Sequence, residues 1–136
     1  SKINAVSVDC AAAPSSPYNI STAGMTATER QAAIEYARRA NAWLADNGPI
    51  TVQSTAGTLR SQASEAARLE RLRAAQAGKP YIGQAGHVPD AALTGMPNPP
   101  AGWLDMPGAS NNVIGGGLSS RIGRTIDAIT VDGRVP

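Results

Sequence analysis

The chain has 136 residues, a formal net charge of +2 and 42% hydrophobic residues, much of that alanine. That length buries one modest core and leaves no room for a cofactor domain beside a substrate domain; no run of 18 apolar residues marks a membrane span, and no signal-peptide pattern is read at the start. A single cysteine, Cys10, and a single histidine, His87, exclude an internal disulfide, the usual four-ligand zinc site and the paired-cysteine zinc deaminase pattern.

Two Trp, three Tyr and no Phe accompany the alanine. Such a composition favours closely packed helices over a sheet sandwich. The predicted fold is mainly α (α+β): two long N-terminal helices, a Gly/Pro-rich segment and a small C-terminal β-hairpin, in a single domain over 1–136. The mild positive charge permits a polyanionic partner without requiring one.

In chain order, residues 1–25 read as an extended N-terminal segment. A short strand is expected over Ile3–Val8, and a loop over Ala11–Pro17. Thr26 and Glu29 have the T-x-x-E form of a capping box. Ala33, Tyr36, Ala37, Ala40, Trp43 and Leu44 then recur at helical spacing, which predicts a helix over 27–46 that Gly48-Pro49 ends. After a brief extended link over Ile50–Ser54, a second helix is predicted over 56–77, with Leu59, Ala63, Ala66, Leu69 and Leu72 on its apolar face. Its arginines Arg60, Arg68, Arg71 and Arg73 interleave with Glu65 and Glu70. They form either a solvated, ion-paired face or a phosphate-facing surface. Glycines and prolines crowd 78–117 and argue against a long helix there; such a segment in a compact domain is usually functional or disordered. Thr125–Val131 reads as a strand, and Asp132-Gly133 as the turn that starts a hairpin.

The chemistry-bearing residues fall in the segment over 78–124. In Gly86-His87-Val88-Pro89-Asp90, Val88 precedes a proline and is extended. Pro89 suits the first position of a helix. His87 therefore ends a strand or loop, and Asp90 sits in the first turn of a short helix closed by Gly95. Their side chains can converge, and Gly83 and Gly86 leave room for a large ligand near the backbone. An imidazole titrating near neutrality serves as a general base, and a carboxylate holds Mg²⁺, which keeps several waters of its own. A hydrogen-bonded structural histidine and an aspartate favoured by the helix dipole are the ordinary alternatives.

Downstream, Gly115-Gly116-Gly117 offers free backbone N–H groups to an anion or forms a flexible surface loop. Ser119, Arg121 and Arg124 follow as candidate phosphate contacts. Asn111 reads as a metal ligand, a phosphate-orienting group or a turn residue. Trp103 would stack on a base or anchor the core or a lid, and Asp105 is a candidate second carboxylate. A Cys10–His87 nucleophile pair is a further, weaker arrangement.

Gly86-His87-Val88-Pro89-Asp90, then Pro99-Pro100-Ala101-Gly102-Trp103-Leu104, then Asn111-Asn112-Val113-Ile114-Gly115-Gly116 resemble the polymorphic toxin type 15 family over about residues 56–120. These are bacterial HxxD toxin domains at the C-termini of secreted effectors, among them type VI secretion effectors with DNase activity. The resemblance implies His87 and Asp90 as catalytic residues and Asn111 as the asparagine of the glycine motif. Ala91-Ala92 stands where the family often has Thr-Thr, and Gly117 replaces a more polar residue, which leaves the substrate contacts open. It further implies a cognate immunity protein and delivery of a larger secreted effector to the cytoplasm of a target cell. The opening Ser1 is expected to mark a piece cut from such a chain. The expected activity is metal-dependent hydrolysis of DNA, with Asp90, His87 and Asn111 around Mg²⁺. An RNase toxin working through the RNA 2′-OH without a metal, and a non-enzymatic helical interaction module docking through the arginine-rich helix, are the other two readings.

Overall fold

The computed structural model describes residues 14–136, so the expected strand at Ile3–Val8 and Cys10 lie outside the described residues. The fold is α+β, with nine elements among the described residues. In order they are β1 (Ser15–Ile20), α1 (Ala27–Asn47), β2 (Ile50–Thr51), α2 (Thr58–Gln76), β3 (Gln84–His87), α3 (Ala91–Thr94), β4 (Trp103–Met106), α4 (Gly108–Ser119) and β5 (Thr125–Val131). The strands form a three-stranded sheet of order β1-β5-β2 and a separate antiparallel pair, β3-β4.

The capping box opens α1 as the sequence predicts. The Thr26 hydroxyl accepts from the Glu29 N–H at 3.1 Å, and the Glu29 carboxylate accepts from the Thr26 N–H at 2.7 Å. Ala33, Tyr36, Ala37, Ala40 and Leu44 form its buried face. They meet Tyr18 and Ile20 from β1, Ile126 and Ile129 from β5, and Ile114 and Leu118 from α4 in the core.

Ser15–Ile20 is a strand, although Pro14 and Pro17 favoured a loop. Pro17 has no N–H to give, and it is tolerated because β1 is an edge strand whose register shifts between Ser16 and Pro17. The expected C-terminal hairpin is not present. β5 pairs in parallel with β1 and antiparallel with β2, so both of its edges are taken. The Asp132-Gly133 turn closes only a single bridge, Val131 to Arg134, and its Asp132 carboxylate instead accepts from the Thr22 N–H at 2.9 Å.

The glycine-rich stretch, where a long helix is not expected, contains the twelve-residue helix α4. Gly117 fits there because Tyr18 needs its space: a Cβ at 117 would overlap the Tyr18 hydroxyl, which is bonded to the Ile114 carbonyl at 2.9 Å. α2 also departs from expectation. It buries only Ala63 and Ala74, and Leu69 and Leu72 remain about half exposed. Its neighbours are β3 and α3, so it forms a flank rather than a central layer. No helix among the described residues is long and apolar enough to cross a membrane.

Candidate active site

His87 ends β3, directly opposite Trp103 in the β3-β4 ladder. The pairing continues past the strand end, where the Val88 N–H donates to the Gly102 carbonyl and the Ala101 N–H to the Val88 carbonyl. Arg39 from α1 fixes the returning chain, donating to the carbonyls of Ala101 at 2.6 Å and Trp103 at 3.2 Å. The His87 and Trp103 rings lie 4.5 Å apart, tilted by 56°. Trp103 therefore acts as the side wall of the histidine, and this contact defines its place.

The histidine's second contact sets its chemistry. His87 Nε2 lies 2.9 Å from the Pro97 carbonyl oxygen. A carbonyl only accepts, so Nε2 carries the hydrogen. In the neutral ring Nδ1 then keeps its lone pair as the remaining acceptor. Burial pushes the imidazole below its ordinary value, with the Pro97 bond opposing, and this favours the neutral form.

Asp90 is the N-cap of α3, not a residue of its first turn, and Pro89 precedes the cap instead of opening the helix. An aspartate here ordinarily bonds an N–H of its own helix, but this side chain makes no such bond. It turns to the buried Tyr36 hydroxyl, which donates to Asp90 Oδ1 at 3.0 Å and accepts from the Asp90 N–H at 3.3 Å. Burial raises the carboxyl to about 6, and the Tyr36 hydrogen bond lowers it only in part. Among the described residues Oδ2 has no protein hydrogen-bond partner; a Cβ at Gly115 would stand 3.8 Å from it. Tyr36 looks like an ordinary core position in the helix periodicity. Only the contact between residues 36 and 90, far apart in the chain, exposes its role.

Both residues line one open cleft of ≈ 810 Å³. Its walls come from α2, from β3 and α3, and from α4. Asn111 and Ser119 line it as well. The Asn111 amide nitrogen donates to Gln84 Oε1 at 2.6 Å, and among the described residues its own Oδ1 has no protein partner.

The other candidates lie elsewhere. Arg121 does not line the cleft; it donates to the Gly117 carbonyl at 2.7 Å and its guanidinium sits 4.8 Å from the Tyr18 ring centre. Arg124 is also outside it. Its backbone carbonyl accepts from Val52, tying β2 to the turn before β5. Asp105 is not a second carboxylate of the site. Both of its oxygens accept backbone N–H groups, from Ile82 at 2.9 Å and Gly83 at 2.8 Å. The triple glycine is helix interior, so it forms no loop of free N–H groups. The cations that do line the cleft are Arg60 and Arg71 of α2.

The donor set bears on the metal question. Mg²⁺ prefers oxygen, takes one or two carboxylates and keeps water for its remaining positions. Asp90 Oδ2 and Asn111 Oδ1 are oxygens of that kind, whereas the His87 nitrogen is a poorer partner for so hard a cation. Among the described residues no group of three His, Cys, Asp or Glu could hold a metal ion. Water-rich Mg²⁺ coordination fits these residues; a closed all-protein cage does not.

No family model, no curated protein and no solved structure matches the chain.

Proposed function

We propose that this chain is a nuclease toxin domain that hydrolyses phosphodiester bonds of DNA at the His87–Asp90 cleft. The observation that carries the reading is the pairing, in one open cleft, of a histidine whose Nδ1 lone pair is spare with a half-buried carboxylate whose charge desolvation disfavours. Perturbed titratable groups converging on a cleft are the usual physical mark of a reactive site.

His87 Nδ1 is the general base. It takes a proton from the attacking water as that oxygen bonds to phosphorus and the bond to the leaving sugar oxygen breaks; the leaving oxygen takes a proton from solvent, and the Nε2 bond to Pro97 holds the ring throughout. Asp90 Oδ2 and Asn111 Oδ1 are the oxygens that would hold Mg²⁺, and the ion, when bound, would supply positive charge against that building on the phosphate. Tyr36 keeps Asp90 turned toward the cleft. Ser119, which lines the cleft, hydrogen-bonds a phosphate oxygen. The resemblance of the HxxD, Gly-Trp and Asn-x-x-Ile-Gly-Gly pieces to polymorphic toxin type 15 domains supports the toxin role. With it come a larger secreted effector, action in the cytoplasm of a target cell and a cognate immunity protein.

The test incubates the purified chain with supercoiled plasmid and, separately, with total RNA, each with Mg²⁺ or with EDTA. The expected outcome is nicking and degradation of plasmid in Mg²⁺ alone. Cleavage of RNA alone, indifferent to EDTA, would replace the DNase reading with an RNase. Inertness toward both would turn attention to α2 as a protein-docking face.

A further inference from the structure

α2 carries four arginines, and helical spacing sorts them into two kinds. Arg60 and Arg71 are eleven residues apart. That is close to three full turns, so both side chains leave the helix in nearly the same direction. Ser64 and Ala67 lie between them on the same strip, and all four line the cleft. Arg68 and Arg73 leave on other faces. Each is forked onto the glutamate three residues before it, with shortest contacts of 2.7 Å to Glu65 and 2.8 Å to Glu70.

The cleft-facing pair has no such neutralisation. Three and four residues away, Arg60 meets Ala56, Gly57, Ala63 and Ser64, while Arg71 meets Ala67, Arg68, Ala74 and Ala75. Among the described residues no carboxylate forms a salt bridge with either arginine. The helix thus cancels its outward charge and leaves its inward charge uncancelled.

The opposite wall has a matching peculiarity. Gly115 and Gly116 lie inside α4, where each glycine costs about 1 kcal/mol relative to alanine. Neighbouring Gly117 has a packing reason, since a Cβ there would strike Tyr18. A Cβ at Gly116 would meet nothing within 4 Å, and one at Gly115 only the Asp90 carboxylate at 3.8 Å. Among the described residues no packing contact requires those two glycines, and both line the cleft. They leave space for something that enters it.

Eleven residues at 1.5 Å each place the two arginine positions about 16 Å apart along α2. One phosphate cannot engage both; a chain of phosphates can. At ≈ 810 Å³ the cleft has the volume of a small-ligand site, room for a few nucleotides of one strand and not for the enclosure of both strands of a duplex. We propose that the cleft binds a single polynucleotide strand several nucleotides long, with phosphates held by Arg60 and Arg71 and the backbone running along α2 past His87 and Asp90. This deepens the nuclease reading and rests on it for the cut that follows binding.

The test measures fluorescence anisotropy with the full chain carrying His87→Ala, so that the probe stays whole. The probes are a labelled 12-nucleotide DNA strand, the same strand as RNA, the 12-base-pair DNA duplex and a dinucleotide. The 12-nucleotide strand should bind more than about tenfold tighter than the dinucleotide, because the second phosphate contact becomes intramolecular. The DNA and RNA arms show which sugar is preferred, and binding of either in this pattern supports the clamp. Adding Arg60→Gln or Arg71→Gln should each reduce the slope of log affinity against log salt by about 0.7. Arg73→Gln, with the same loss of charge on the outward face, should leave the slope unchanged. Equal slopes for all the arginine variants would overturn the proposal, as would a dinucleotide that binds as well as the strand or a duplex that binds better. The two readings fail separately. Arginine-dependent strand binding by a wild-type chain that cuts nothing rejects the nuclease and keeps the clamp. Cutting at wild-type rate by the arginine variants with unchanged slopes rejects the clamp and keeps the nuclease.

Discussion

Asp90 is a carboxyl whose charged form the fold disfavours. Its ordinary value is 3.8 and burial lifts it to about 6. The raised value means that its favourable contribution is complete below about pH 3.8 and is lost as pH rises through 6. At neutral pH the charge costs up to about 3 kcal/mol, at 1.36 kcal/mol for each pH unit of displacement; contact with the open cleft trims this to about 2 kcal/mol. Asp90→Asn should therefore raise stability by about 2 kcal/mol at pH 8, with no gain at pH 3.5, while abolishing cleavage. Thermal melts at the two pH values check it, and a variant less stable at pH 8 would show the charge to be structural. His87 adds a second dependence on pH. Burial pushes its imidazole below its ordinary value, so the neutral base predominates at pH 7. The kcat/KM for plasmid cleavage should be flat from pH 7 to 8.5 and fall below about pH 6, as His87 gains a proton and Asp90 loses its charge. A rate that rises on acidification would contradict both roles.

At the scale of elements, α4 sets two adjacent glycines against each other. Gly116→Ala should stabilise the helix by about 0.5–1 kcal/mol, raising Tm by about 2–5 °C, and weaken strand binding. Gly117→Ala should destabilise by about 1–3 kcal/mol, since the new methyl must displace the buried Tyr18 ring. Thermal melts of the two variants compare them directly; equal shifts would remove the argument that 115 and 116 serve a ligand. Local pattern explains what the sequence reveals about such elements. The capping box at Thr26 and Glu29 and the apolar repeat through Leu44 are short-range signals, and α1 follows them closely. Thr125–Val131 is likewise legible from its own residues. Helix α4 is not, because three glycines oppose a helix locally and only Tyr18, about a hundred residues away in the chain, explains one of them. The placement of Asp90 in one cleft with His87 was legible from the segment that holds both, but its grip by Tyr36 depends on tertiary contact. Arg60 and Arg71 could have been found, since an i, i+11 spacing with no acid three or four residues away distinguishes them from Arg68 and Arg73.

Across the whole molecule, the two ends of the described chain are joined in one sheet. β1 lies parallel to β5, and Tyr18 and Ile20 from β1 are buried in the core that also holds Tyr36 and Ile114. Removing residues through Gly24 would strip both side chains from that core and uncover an edge of β5. Each large core side chain contributes about 3–5 kcal/mol against a total stability of about 5–15 kcal/mol. A chain beginning at Met25 should therefore lack a cooperative melt by circular dichroism; a cooperative melt near that of the full chain would show β1 to be dispensable. The same core fixes α1 against α4 and β4, and through Tyr36 and Arg39 it supports Asp90 and the strand end that bears His87. The site is thus a product of the whole arrangement, and its chemistry can be tested at two atoms. The most direct measurement is cleavage of supercoiled plasmid in Mg²⁺ by the wild-type chain, His87→Ala and Asp90→Asn, with a thermal melt of each to confirm folding. Degradation by the wild type and none by either folded variant is the expected result. Wild-type-like degradation by both folded variants would contradict it.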